Sequence, residues 1–287
     1  MLKRTLTSLL LMPPALYLIG WAPKWLFVVA VVAVVELALR EFFALARQMG
    51  YKTFPVLGYV AAAALCVAQT SPGGKSTTGA MCLLILLILL IPSLALERSM
   101  DLKDYLGAVA VTLFSILYIG LTLSCLVAIR FALPPLNALY LIRAHQVESA
   151  VGNHLLLLLF LVIWAGDICA YLVGRSVGRT PFFARISPHK TVEGALGGLA
   201  GSLLAAWALV HWYWTTADLK AVLLIAAWVA VAGQIGDLVE SALKREANQK
   251  DSGTLLPGHG GFLDRIDSLI FGAPALWLAL VAQGLWS

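Results

Sequence analysis

Apolar residues run through this chain in blocks too long and too poor in charge for an ordinary soluble fold. Residues 81–96 carry no charged side chain, and neither do residues 105–129. A membrane span needs about 20 mostly apolar residues, and several blocks reach that length. Composition agrees. The chain is 61% hydrophobic and 12% charged with a mean hydropathy of +0.89, whereas soluble domains carry about 25% charged residues. The expected fold is an all-α polytopic membrane protein of about nine transmembrane helices. They are placed near residues 5–22, 24–46, 53–70, 78–97, 104–132, 152–175, 193–213, 219–245 and 262–285. Pro13, Pro14, Pro92 and Pro274 are expected to kink their helices.

The basic residues set the orientation. With the N-terminus in the cytoplasm, only Lys24, Lys75, Arg130, Arg143 and Lys220 fall outside, and the other fifteen of the 20 Lys and Arg fall inside. That asymmetry follows the positive-inside rule and puts the C-terminus outside. Trp21, Trp25, Trp212 and Trp214 then sit at the outer boundary as an aromatic belt. Lys3 and Arg4 precede an apolar run like that of a signal peptide, but no small-residue cleavage site follows, so the run is read as a retained first helix. Cys66, Cys82, Cys125 and Cys169 all lie in apolar runs and lack ligand spacing, which makes them packed thiols. No nucleic-acid partner is expected. The chain divides by composition into a hydrophobic scaffold (residues 1–150) and a polar-rich catalytic region (residues 151–287) within one membrane unit.

Against this apolar background, the window Ser241–Ser268 concentrates Lys244, Arg245, Lys250, Asp251, His259, Asp264, Arg265 and Asp267. Ionisable groups are costly in lipid and mark function by default. Two more carboxylates lie upstream. Asp167 and Asp237 are each eight residues before a basic residue, Arg175 and Arg245, so both sit about 12 Å from a cytoplasmic helix end. Asp237, Glu240, Ser241 and Lys244 share a helix face. A Glu240–Lys244 pair that merely solvates the helix end is the bland alternative. Gly258, Gly260 and Gly261 flank His259 just before the last helix, a pattern suited to close backbone approach and to anion binding at a helix N-terminus. Asp264 and Asp267 follow at i,i+3 on one face of the first turn. They could simply complement the helix dipole, but beside a basic cluster they suit Mg²⁺, a hard cation that shares oxygen ligands with phosphates. Arg175, Arg179, Arg185, His189 and Lys190 line a loop that reads either as a positive-inside loop near headgroups or as a polyanion clamp, with Ser187, Lys190 and Thr191 supplying donors. Glu36 is expected to pair with Arg40. Gly194, Gly197, Gly198 and Gly201 have the spacing of a close helix crossing.

The window SALKR-(4)-KDSG-(2)-LPGHGGFLDRID closely resembles the signature of the phosphatidate cytidylyltransferases. So do the upstream elements D-x-x-A-Y-x-x-G at Asp167–Gly174, S-P-x-K-T-x-E-G at Ser187–Gly194 and Q-x-G-D at Gln234–Asp237. His189 departs from a Lys expected in many relatives. The resemblance implies that CTP and phosphatidate give CDP-diacylglycerol and pyrophosphate. It implies metal ligands among Asp237, Asp264, Asp267 and Asp167 for Mg²⁺, with or without a second cation. Asp237, Ser241, Lys244, Arg245, Asp264 and Asp267 are implied as the catalytic set. Substrate contacts would come from Arg175, Ser187, Lys190, Thr191, Lys250, Asp251, His259, Gly260, Gly261 and Arg265. The expected setting is a bacterial inner membrane with the site facing the cytoplasm, where CTP is, and a homodimer. Three other readings compete: a CTP-dependent polyprenol kinase, a cation-coupled transporter and a non-catalytic lipid-binding scaffold. The lack of inverted repeats and the crowding of carboxylates on one side argue against a transporter.

Overall fold

In a computed structural model, described for residues 13–71, 74–97, 101–131, 151–253, 255 and 260–282, the regular elements are helical. In lipid the backbone must satisfy its hydrogen bonds within each segment, and a helix does so. The elements are α1 (residues 13–20), α2 (Lys24–Gln48), α3 (Pro55–Ala68), α4 (Gly74–Glu97), α5 (Leu102–Ser115), a π segment (Ile116–Leu121), α6 (Thr122–Phe131), α7 (Val151–Val177), α8 (Val192–Trp212), α9 (Leu219–Glu246), a 3₁₀ turn (Leu263–Arg265) and α10 (Asp267–Ala282). Five helices are long and apolar enough to cross a membrane: Thr78–Leu96, Leu102–Phe131, Val151–Val177, Val192–Trp212 and Leu219–Glu246. α3 and α10 are apolar but shorter, at 14 and 16 residues. α4 turns Met81, Ile85, Leu86, Ile88 and Leu89 outward, each more than half exposed. So large an apolar face is stable against lipid and unstable against water. The chain is an integral membrane protein.

The chain forms two compact units, Met1–Phe131 with Leu243–Ile266, and Ala132–Ala242 with Asp267–Ser287. They do not follow the compositional division at residue 150. The tail of α9 and the signature loop belong with the N-terminal helices.

In the first unit, Leu65, Ile91, Ala95 and Ile116 form a buried cluster. Lipid offers helices no hydrophobic drive to associate, so close packing and polar contacts must hold them. Thr112 supplies one such contact: its Oγ1 accepts from Phe54 N at 3.0 Å and donates to Ala108 O at 2.7 Å. Gly120, inside the π segment, lies against Ala62, and a Cβ there would come within 2.8 Å of the Ala62 Cβ.

In the second unit, α7 and α8 cross closely, as the glycine spacing predicts. A Cβ at Gly194 would come within 2.9 Å of Ala170 O, and one at Gly198 within 3.0 Å of Gly166 O. Ser202 Oγ donates to Val162 O at 2.7 Å across the same crossing. Trp228 Nε1 donates to Ala275 O at 3.0 Å, joining α9 to α10. Trp21, Trp25 and Trp212 are well exposed, but Trp214 is buried and stacks on His154 with ring centroids 5.2 Å apart. Trp214 is a packing residue, not part of an interfacial belt.

Candidate active site

α7, α8 and α9 enclose a cavity of about 530 Å³ in the second unit. Small or apolar residues (Ala170, Gly174, Gly194, Ala195, Leu238) share its walls with the polar groups of Asp167, Arg175, His189, Lys190, Thr191, Gln234 and Asp237. An apolar pocket with a few convergent polar groups is the usual form of a ligand site. Asp167 and Asp237, expected at similar depth from their spacing, both line it.

The central contact is between Lys190 and Asp237. Lys190 Nζ lies 2.6 Å from Asp237 Oδ2, with the side chains 30% and 31% exposed. Ser241 Oγ, one turn on, donates to Asp237 Oδ1 at 3.4 Å, a long contact. Arg175 Nη1 donates to Tyr171 Oη at 2.9 Å, which holds the guanidinium along the cavity wall.

The loop between α7 and α8 presents Lys190. Its ends are tied by an antiparallel bridge between Pro181 and Thr191, and Phe182 N donates to Lys190 O at 2.7 Å. Within it, Lys190 N donates to Ser187 O at 3.2 Å, closing a turn with Pro188 at its second position, where the fixed φ of proline fits. Thr191 caps α8 by accepting from Gly194 N at 3.1 Å. Glu193, quoted in the motif but assigned no role from sequence, accepts from Arg179 N, Thr180 N and Thr180 Oγ1. It fastens the loop base.

Asp267 opens α10 in the same unit. The charged groups acting on it are Asp237, Glu240 and Asp167, and its Oδ1 accepts from Ser268 N at 2.7 Å. Gly236 makes room for this approach, since a Cβ there would come within 2.7 Å of Asp267 O. The glycine before Asp237 is therefore a close-packing requirement. Like charges gathered this way favour a bound cation. Among the described residues, no three His, Cys, Asp or Glu side chains converge into a ready-made metal cage. Mg²⁺ is typically held by one or two carboxylates together with substrate phosphates and water. Asp237 and Asp267, with Asp167 beside them, fit it by donor chemistry.

The signature loop lies in the first unit and is organised differently. Lys244 donates to Asp264 Oδ1, with side chains 11% and 7% exposed. Asp264 Oδ2 also accepts from Ser252 N at 3.1 Å and Gly261 N at 2.7 Å. Gly260 adopts φ +79°, a conformation open to glycine at low cost. Within this unit, the ion pair of Lys244 is with Asp264. The expected helix start near 262 and the shared face of Asp264 and Asp267 need correction. α10 begins at Asp267, and Asp264 sits in the preceding 3₁₀ turn, separated by Ile266 at φ −121° and ψ 4°. The sequence reads Gly258, Gly260, Gly261 and the following helix start as an anion cradle; of the N–H groups there, that of Gly261 donates to Asp264, and those of Phe262 and Leu263 donate to Glu41. Arg245 Nη1 donates to Gln249 O at 3.0 Å beyond the end of α9. Lys250, Asp251 and Arg265 are exposed. His259 lies outside the described residues.

Sequence reasoning missed Glu41. This buried acid of α2 accepts from Ser252 Oγ, Phe262 N and Leu263 N at 2.8–2.9 Å. The one available signal was a carboxylate set among Phe42, Phe43 and Leu45, all of them core residues.

Residues 2–282 match the model of the cytidylyltransferase family. A phosphatidate cytidylyltransferase of Synechocystis sp. is 35% identical over 276 residues, covering 90% of this chain and 89% of its own length. Proteins of the same name from Staphylococcus haemolyticus and Staphylococcus saprophyticus are 43% and 45% identical over 130 residues, covering 45% of this chain and 50% of theirs. The chain belongs to the cytidylyltransferase family.

Proposed function

We propose that this protein is a CTP:phosphatidate cytidylyltransferase, converting CTP and phosphatidate to CDP-diacylglycerol and pyrophosphate. The observation that carries the reading is the Lys190–Asp237 pair, in a cavity that Arg175 also lines, within a membrane protein. The family match and the full-length similarity to the Synechocystis protein support it.

In the reaction a phosphatidate phosphate oxygen forms a bond to the α-phosphorus of CTP, and the α–β phosphoanhydride bond breaks to release pyrophosphate. Both reactants are anions, so the protein's task is to neutralise and align them, with no covalent enzyme intermediate. Lys190 and Arg175 bring positive charge to the cavity, and Ser187 and Thr191 set the turn that presents Lys190. The apolar walls take the lipid's glycerol and upper acyl segments. Lys244, Arg245, Lys250 and Arg265 are the proposed phosphate-binding cations of the signature window, with Asp251, His259, Gly260 and Gly261 shaping or lining that loop. Asp237, Asp267 and Asp167 are the proposed ligands for Mg²⁺ in the second unit, Asp264 of the signature loop is a separate proposed ligand for any second cation, and Ser241 orients Asp237. Bound there, the metal would neutralise phosphate charge and polarise the phosphoryl oxygens.

The proposed setting has nine spans, a cytoplasmic N-terminus, an outside C-terminus and a site open to cytosolic CTP. The distribution of Lys and Arg supports this topology. A bacterial inner membrane and a homodimer complete the proposal. The test is turnover in detergent with CTP, short-chain phosphatidate and Mg²⁺. CDP-diacylglycerol with pyrophosphate, lost on adding EDTA, is the expected result. Free CDP with a phosphorylated lipid alcohol would assign a kinase instead.

A further inference from the structure

We infer that Glu41 is a positioning residue for this enzyme, fixing the loop segment that carries Asp264 and Arg265; the consequence for turnover rests on the cytidylyl-transfer reading above. Glu41 is 5% exposed. Its Oε1 accepts from Phe262 N at 2.9 Å, and its Oε2 accepts from Leu263 N at 2.8 Å and Ser252 Oγ at 2.9 Å. These two N–H groups open the 3₁₀ turn Leu263–Arg265, where no intrahelical acceptor exists for them. The cap comes from a residue 222 positions away in sequence.

Two glycines of the signature are shaped around this carboxylate. A Cβ at Gly253 would lie 2.5 Å from Glu41 Oε1, and one at Gly261 would lie 2.6 Å from Oε2. A buried carboxylate is expensive unless its lone pairs are met. An apolar side chain of the same size would fill the space but leave both N–H groups without an acceptor. Glu41 therefore serves the loop's backbone conformation more than its packing, and it acts through Ser252, Phe262 and Leu263.

Glu41→Gln separates these roles, because it keeps the volume but sets an amide N–H₂ against a backbone N–H. Wild type, Glu41→Gln, Glu41→Asp and Ser252→Ala would be purified in detergent. Each would be assayed for kcat with CTP and phosphatidate, for melting temperature, and for amide exchange at residues 262 and 263. The expected result for Glu41→Gln is a kcat at least tenfold lower at an unchanged melting temperature, with exchange at 262 and 263 at least tenfold faster. Glu41→Asp should recover part of the kcat, and Ser252→Ala should lose severalfold. Wild-type kcat with protected amides in Glu41→Gln overturns the proposal, as does a kcat loss that merely tracks melting temperature across the variants. If Glu41→Gln fails to fold, Ser252→Ala decides: lowered kcat at full stability supports the role, and unchanged kcat and exchange refute it. If wild type makes no CDP-diacylglycerol, the cytidylyl-transfer reading falls, and the exchange at 262 and 263 alone decides the role of Glu41.

Discussion

The cavity of the second unit and the signature loop of the first each contain a Lys–Asp pair, but the pairs sit in different environments. Lys190 and Asp237 are 30% and 31% exposed and border open volume, with the long Ser241 contact as the other hydrogen bond to Asp237 seen here. Lys244 and Asp264 are 11% and 7% exposed, and Asp264 accepts two backbone N–H groups as well. The first pair can exchange partners when an anion or a cation arrives. The second is built into the backbone of its loop, and breaking it undoes the fold locally. The same two residue types thus border open volume in one place and are tied into a loop backbone in the other.

The largest expected effect follows from the carboxylates of the second unit. Asp237→Asn and Asp267→Asn should each lower kcat on the order of a thousandfold, roughly 4 kcal/mol of lost transition-state stabilisation, while leaving the melting temperature near that of wild type. Near-normal rates at saturating Mg²⁺ would remove both from the metal site. Asp264→Asn should abolish most turnover and also destabilise its unit by about 3 kcal/mol, because Lys244 is left buried without its counter-charge. A calorimetric scan checks this, and an unchanged melting temperature would erase the contrast between the two pairs. Arg175→Ala comes next. Loss of a charged donor to phosphate should raise the KM for phosphatidate about tenfold or more with a smaller change for CTP, and a rise in the KM of CTP alone would contradict its placement. The smallest effect belongs to a third pair, Lys52–Asp104, at 2.8 Å and with Lys52 56% exposed. Lys52→Ala should leave both activity and melting temperature unchanged within error, since exposed pairs are screened by water.

Local periodicity made much of the second unit legible in the sequence. The runs over α7, α8 and α9 exceed the length of a span, the Gly194–Gly201 stripe announces the close crossing, and the equal spacing of Asp167 and Asp237 from Arg175 and Arg245 puts both at a similar depth, where they line one cavity. The signature loop was less legible because its organising contacts are not local. Ser252 and Glu41 are 211 residues apart, and helix-face rules drew attention to Glu36 and Arg40 instead. The i,i+3 rule also assumed one continuous helix through Asp264 and Asp267. Long-range acceptance of the Phe262 and Leu263 N–H groups by Glu41 favours a 3₁₀ turn there, and no pattern within the window reports that.

The central claim is that the α-phosphoryl group, with its nucleoside, passes to the lipid. It is tested most directly by incubating the purified protein with phosphatidate and with CTP labelled at either the α- or the γ-phosphorus. The account predicts α-label in the lipid phase and γ-label only in released pyrophosphate. γ-label in the lipid phase, with the α-label left in soluble CDP, would contradict it.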